Sequence, residues 1–440
     1  MIDMKNTIKL LLCFLAISCM SVTCKKQGSA ANNPSPPQND TSLVNTQHLE
    51  YLTVPVTFSD GVNASAVYIY ADAPDYKLTP AAGEGYACVD DVARAALVYL
   101  RAPGFKTDTA IQSKAERLID FVLEMQSPNG YFYNFLSSGA DINRFGQTSI
   151  NNPEWWSWRA LQTLTEGAPL LQSINSGLAK KMDDAVDRLV TAIKKDLVPL
   201  SKDTISVKGI SIPTWLPAGS GTDQAALLIM GLIPYCQRTN DEAIKDYIEK
   251  LGDGIVLMQK GNATMFPYGA FLSWQNTWHA YGNEQAYALL KAAAYLQNER
   301  FKTSALMEID NFYPWLVQNG YLSTFAISDD GNGIKTESKS TYDQIAYGIK
   351  PMVFAASEAF RQTGDKKYAD MAGHIAAWFF GSNDAGQIMY STSTGRCFDG
   401  LSSSGVNKNS GAESTIEALL TMQKVEEFGE IEKSMKSYSK

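Results

Sequence analysis

Two kinds of helical segment alternate along this chain, and the alternation constrains the fold more than any other feature. Five segments are amphipathic with one charged face: 110–126, 179–197, 241–260, 300–319 and 366–380. Apolar residues spaced at three and four mark such segments as helices with one side in water. Six others are far richer in Ala, Leu and Met: 89–100, 155–164, 224–237, 284–296, 344–361 and 415–425. Helices apolar all round belong inside. Six hairpins at intervals of about 55 to 70 residues can close into a ring in which no hairpin buries its apolar face alone. Closure brings all six inner N-termini to one end.

Each inner segment opens on a polar cluster that includes an acid: CVDD (Cys88–Asp91), NPEWW (Asn152–Trp156), SGTDQ (Ser220–Gln224), WHAYGNEQ (Trp278–Gln285), TYDQ (Thr341–Gln344) and NSGAEST (Asn409–Thr415). Capping of free N–H groups does not require this, because Ser or Thr would cap without gathering like charges. The acids of CVDD are thus expected to converge with those of five other helices on one pocket. Gly turns followed by aromatic, strand-like pieces recur at Leu123–Phe135, Val256–Phe271 and Trp315–Phe325, where the chain crosses between helices. An early strand-like stretch, Leu52–Tyr70, adds a small strand-rich element, and the loop Ser201–Gly221 carries no readable pattern.

Ahead of the helices, Lys5 and Lys9 precede the apolar run Leu10–Ile17, too short to span a bilayer and typical of an export signal. Cys19 and Cys24 follow small residues in the manner of bacterial lipoprotein cleavage boxes, so residues 1–24 read as a signal region with lipid attachment at one of the two. Residues 25–48, rich in Ser, Asn, Pro and Gln, read as a flexible tether, and 49–440 as the folded domain. A net charge of −8 excludes a nucleic-acid partner, which demands a basic surface. Cys88, Cys236 and Cys397, like His48, His279 and His374, are too scattered for a disulfide framework or a metal site, so neither metal nor cofactor is expected.

Over about residues 85–426 the chain resembles the six-hairpin glycosidases, the (α/α)6 toroid superfamily. The likeness rests on GYACVDDVARAAL near the start, WHAYGNEQAYALL in the fourth hairpin, and WFFGSN, CFDG and VNKNSGAESTIEALL at the end. It implies a mainly α fold, an (α/α)6 toroid of six helical hairpins, and a monomer with a carbohydrate as its partner. By likeness to the inverting cellulases, a base is expected at Asp91 or Asp90 on the first inner helix and an acid at Glu413 on the last. By likeness to the unsaturated glucuronyl hydrolases, Asp91 would work with Glu154.

Residue by residue, only one of Asp90 and Asp91 can aim at the pocket, because successive helical residues point about 100° apart. Asp91 is the choice, with Asp90 free to pair with Arg94. Glu413 and Glu417 sit one turn apart on an apolar helix, a spacing that raises a carboxyl pKa as a general acid requires. Around this pair, Glu154, Trp155, Asp223, Trp278, His279, Asn283, Asp343, Gln344 and Tyr131 are candidate sugar contacts, aromatics for stacking and polar groups for hydroxyls. The leading reading is a glycoside hydrolase, inverting with an Asp base and Glu acid, on an extracytoplasmic glycan at the periplasmic or cell surface. Two alternatives stand: a lyase or unsaturated-uronide hydrolase using Tyr342, Tyr347 or His279 with Arg159 holding a uronate, and a non-catalytic sugar-binding lipoprotein.

Overall fold

The apolar segments form the inner wall of a ring of six hairpins, in a computed structural model that describes residues 42–199 and 201–440. A short helix α1 (Gln47–Leu52) precedes them. The hairpins are α2 (Val89–Leu100) with α3 (Thr109–Glu124), α4 (Trp155–Leu171) with α5 (Ser176–Asp196), and α6 (Thr222–Thr239) with α7 (Glu242–Leu257). They continue as α8 (Gln285–Leu296) with α9 (Glu299–Asn319), α10 (Ala346–Thr363) with α11 (Lys366–Ala376), and α12 (Ala412–Glu426) with α13 (Gly429–Tyr438). Each even-numbered helix from α2 to α12 packs on the next, and α12 returns to α2, so the ring is closed. The architecture is the expected (α/α)6 toroid.

Composition explains which helix goes where. In α6 and α10, 14 of the 18 residues are buried in each, Pro351 among them. In α5, by contrast, only one face is buried, Leu178 through Ile193 at helical spacing, and its lysines and aspartates face water. The sixth outer helix, α13, escaped the sequence reading. It has ten residues and buries only Ile431 and Met435, too few apolar positions to reveal a period.

Strands are confined to the connections. Thr53–Thr57 pairs antiparallel with Asn63–Val67 in the expected early element, which packs on α2 and α3. Within the loop that carried no pattern, Thr204–Val207 and Ile210–Pro213 form a hairpin. Its turn, Lys208-Gly209, holds both φ angles positive, at 54° and 79°. Gly209 is required there: a Cβ would meet the Asp329 carbonyl oxygen at 1.7 Å. Thr277–His279, Thr324–Asp329 and Ile334–Ser340 make a three-stranded sheet at the same pole as the inner N-termini.

Packing starts earlier than the expected boundary near residue 49. Leu43, Asn45 and His48 are buried, Tyr390 Oη donates to the Leu43 carbonyl at 2.9 Å, and His48 Nε2 donates to the Ser410 carbonyl at 2.8 Å. The signal region with Cys19 and Cys24, and the tether up to residue 41, lie outside the described residues.

Candidate active site

The acids at the inner N-termini are not caps. None of the six inner helices is capped by the side chain of its own N-cap residue. Five outer helices are, by Asp108, Asn175, Asp241, Asn298 and Asp365. Loops satisfy the inner N–H groups instead: Val89 donates to the Asn134 carbonyl at 2.8 Å, Thr222 to Ser273 at 2.9 Å and Ala412 to Ile69 at 2.9 Å. For α12 the cap comes from the CFDG segment, where Asp399 Oδ1 accepts from Gly411 N at 2.8 Å and Ser414 Oγ at 2.7 Å. Relieved of capping, the acids face one another beside six positive helix ends, which favour negative charge.

At the centre is Arg94, 1% exposed. Its Nη2 bonds Asp90 Oδ2 at 2.8 Å and Asp91 Oδ1 at 2.9 Å and reaches Glu413 Oε2 at 3.5 Å, while Nη1 donates to Glu417 Oε1 at 2.6 Å. Lys350 lies between Glu284 Oε1 at 2.6 Å and Glu417 Oε2 at 3.3 Å. Arg159 approaches Asp90 Oδ1 at 3.4 Å through Nε and Glu284 Oε1 at 3.6 Å through Nη1, and its Nη2 donates to the Tyr347 hydroxyl. Three cations and five carboxylates from five of the six inner helices or their caps thus form one network.

This geometry changes the roles expected of the first and last helices. Asp91 is 4% exposed, and its second oxygen accepts from Cys88 Sγ at 3.3 Å, so both oxygens are occupied. Burial pushes its carboxyl up to about 6 against the pull of Arg94, so the expected contrast with Glu413 is small. Glu413 is pushed up to about 7, first by burial, with Asp91, Glu417 and Asp90 adding to it and Arg94 opposing. Its side chain nonetheless keeps 42% exposure, and that of Asp90 keeps 24%. The two carboxyls open to the mouth are therefore Glu413 and Asp90. At 3.5 and 2.8 Å from one nitrogen, their bonded oxygens lie no more than 6.3 Å apart. The pair Asp91 and Glu413 is held equally close.

A second group lies across the mouth. His279 Nε2 is 3.1 Å from Asp223 Oδ2, and Nδ1 donates to the Tyr281 carbonyl at 2.8 Å, with the ring stacked on Tyr281. Both ring nitrogens are thus engaged. Gln224 Nε2 donates to Glu154 Oε2 at 3.3 Å, and burial raises the Glu154 pKa while Gln224 opposes the rise. Trp155 is half-buried beside Gly282, whose missing Cβ would lie 2.9 Å from both the indole ring and the Tyr347 hydroxyl. Asn283 is buried, and its Oδ1 has no hydrogen-bond partner.

Other candidates have different places. Trp278 is 1% exposed and stacks on Phe325 at 5.2 Å, so it belongs to the core beneath the mouth. Tyr131 is buried against Trp158 and donates to Asp196 Oδ2 at 3.1 Å. Gln344 is tied down completely: Nε2 donates to the Tyr321 carbonyl and to Asp384 Oδ2, both at 2.8 Å, and Oε1 accepts from Trp378. These three are structural residues: Trp278 is enclosed by core aromatics, and the polar side-chain atoms of Tyr131 and Gln344 already have protein partners. Asp343 is exposed in the loop before α10, outside the network.

Sequence reasoning missed Lys350, and it gave no site role to Glu284 within WHAYGNEQ or to Asp399 within CFDG. A lone lysine inside the apolar run GIKPM was the available signal for Lys350. Phe145 was also missed. It is 93% exposed on a loop tied down by Asn143, whose Oδ1 accepts from Phe145 N and Gly146 N, and by Ser149, which donates to the Asn143 carbonyl at 2.6 Å. The same loop is anchored to the Glu84 carbonyl by Asn143 Nδ2 at 2.9 Å, and Glu84 and Glu413 both raise the pKa of Tyr70, so this rim lies beside the acids.

No family model and no curated protein matches the chain. Solved structures do. Cellobiose 2-epimerase from Bacillus thermoamylovorans B4167 is similar at a TM-score of 0.56 and 11% identity, over 82% of this chain and 92% of that one. A sugar epimerase from a ruminal bacterium gives 0.55 and 11% over 82% and 92%. A Zn-binding triple mutant of the GH family 9 endoglucanase J30 gives 0.50 and 13% over 86% and 82%. At such identities the likeness concerns the backbone alone. The chain has the (α/α)6 toroid fold that these structures share.

Proposed function

We propose that the chain hydrolyses glycosidic bonds at the mouth formed by the six inner N-termini, with Glu413 as general acid and Asp90 as the second carboxylate. The observation that carries this is the Glu413 carboxyl, open to the mouth yet pushed up to about 7, which keeps a proton available near neutrality. Asp90 accepts from Arg94 Nη2 at 2.8 Å, and its side chain keeps 24% exposure, which makes it the second carboxylate at the mouth. The names of the similar structures, an endoglucanase and two sugar epimerases, support a carbohydrate substrate. Trp155 and Phe145 are suited to stack on sugar rings, whose C–H faces are apolar.

The test is to incubate the full chain with neutral oligosaccharides and follow new reducing ends by chromatography and their anomeric form by proton NMR. Inverted configuration gives Asp90 the role of base toward water, as expected from the sequence, and retained configuration gives it that of nucleophile. Binding without any cleavage selects the non-catalytic reading. The export signal and the cysteines support a lipid-anchored, extracytoplasmic setting, which mass spectrometry of the native N-terminus tests: an acylated Cys19 or Cys24 is expected.

A further inference from the structure

The charge at the mouth changes sign at its rim. Inside, the open side chains are acids, Asp90 at 24% and Glu413 at 42% exposure, and Arg94 and Lys350 are each held between carboxylates. On the rim loop Arg144 is exposed, and among the described residues no carboxylate pairs with it and no acceptor takes its side-chain N–H groups. Its guanidinium lies instead 4.9 Å from the centre of the Tyr133 ring.

This cation has a fixed seat beside the acids. Tyr133 N donates to the Met125 carbonyl at 2.9 Å, and the next residue, Asn134, ties the strand to the first inner helix: its Oδ1 accepts from Asp90 N at 3.2 Å and its carbonyl from Val89 N at 2.8 Å. The loop that carries Arg144 returns to the same strand, because Asn143 N donates to the Phe135 carbonyl at 2.9 Å and Asn134 N to the Ser149 carbonyl at 3.0 Å. Ring and guanidinium are therefore anchored on backbone that also sets the start of α2. A guanidinium already seated on a ring has less freedom to lose when a ligand arrives. Its N–H fork matches the paired oxygens of a carboxylate or a sulfate. Phe145, next in the chain and 93% exposed, offers a flat apolar ring to the C–H face of the sugar that bears the anion.

We infer that Arg144 and Phe145 form a rim subsite for an anionic sugar residue, one bearing a carboxylate or a sulfate. The inference rests on the glycoside reading of the mouth and names a feature of its substrate. The anion is carried at the rim and not between Asp90 and Glu413, where it would meet like charge. The rim contact adds affinity and takes no part in bond cleavage.

The test is calorimetric binding at low ionic strength to the full chain with Glu413→Gln, which binds without turning over. The probes are cellotetraose, mannotetraose and galactotetraose, each in a neutral form, a form oxidised to a carboxylate at C6 of one terminal residue, and a form sulfated there. For at least one backbone an anionic form is expected to bind about threefold or more tighter than the neutral form, a modest gain because the cation is in water. The tighter of the carboxylate and sulfate forms names the anion. Adding Arg144→Gln is expected to bring that form down to the affinity of the neutral one, and adding Phe145→Ala to weaken both. Anionic forms that bind no tighter than the neutral ones, or a preference that survives Arg144→Gln, overturn the subsite while leaving the glycan reading intact. If no form of any backbone binds, the glycan reading itself fails, and this inference with it.

Discussion

Arg94 on the first inner helix donates to Glu417 on the last at 2.6 Å, a buried contact between residues 323 positions apart. It fastens the ring where the two ends of the chain meet, and it holds the floor on which Asp90 and Glu413 stand. Removing one partner leaves the other charged and buried. Glu417→Leu is therefore expected to cost about 3–5 kcal/mol, read as a lowered midpoint in denaturant unfolding at unchanged slope. A loss below about 1 kcal/mol would show that the network relaxes around the gap.

Activity should depend on two open carboxyls and not on the sealed one. Glu413→Gln and Asp90→Asn are each expected to lower turnover about a hundredfold or more while barely changing the melting temperature. Because the acid must carry its proton, kcat/KM for the native chain should fall as pH rises through about 7. A rate that climbs steadily to pH 9 would remove Glu413 from that role.

Tryptophan and phenylalanine substitutions separate core from platform. Trp278→Ala is expected to destabilise the fold by about 3–5 kcal/mol, since the ring is enclosed by Phe312 and Phe325. Phe145→Ala, at a ring already in water, should leave unfolding unchanged and raise KM for a long oligosaccharide more than for a disaccharide. Equal effects on long and short substrates would place Phe145 outside the binding path.

Glu308 gives a pH signature far from the mouth. Its carboxyl is 4% exposed, accepts from Phe271 N at 2.9 Å and is pushed up to about 8 by burial. A raised carboxyl favours the folded state while protonated, so its contribution is full below the ordinary value of about 4.5 and is lost as pH rises towards 8. The loss is on the order of 5 kcal/mol. Glu308→Gln keeps the acceptor and should flatten unfolding free energy across that window; an unchanged slope would contradict the assignment.

The ring was legible because inner and outer helices differ in composition over whole turns, as α10 and α5 show. Helix α13 was not legible, having two buried side chains to declare itself. At the site, Asp90, Asp91 and Glu413 were found from their place at helix starts, yet which of them faces the mouth depended on Arg94, whose four partners come from two helices at opposite ends of the sequence. Trp278 and Gln344 were mistaken for substrate contacts because a rim residue and a residue one turn below it look alike in sequence. Only packing against Phe325 and Trp378 distinguishes them.

The most direct measurement is the release of reducing ends from neutral oligosaccharides by the full chain and by Glu413→Gln, compared at pH 6. The native chain is expected to cleave at least one of them, and Glu413→Gln is expected to bind that substrate with similar affinity and cleave it at least a hundredfold more slowly. Equal rates from the two proteins, or binding with no cleavage by either, would contradict hydrolysis at this mouth.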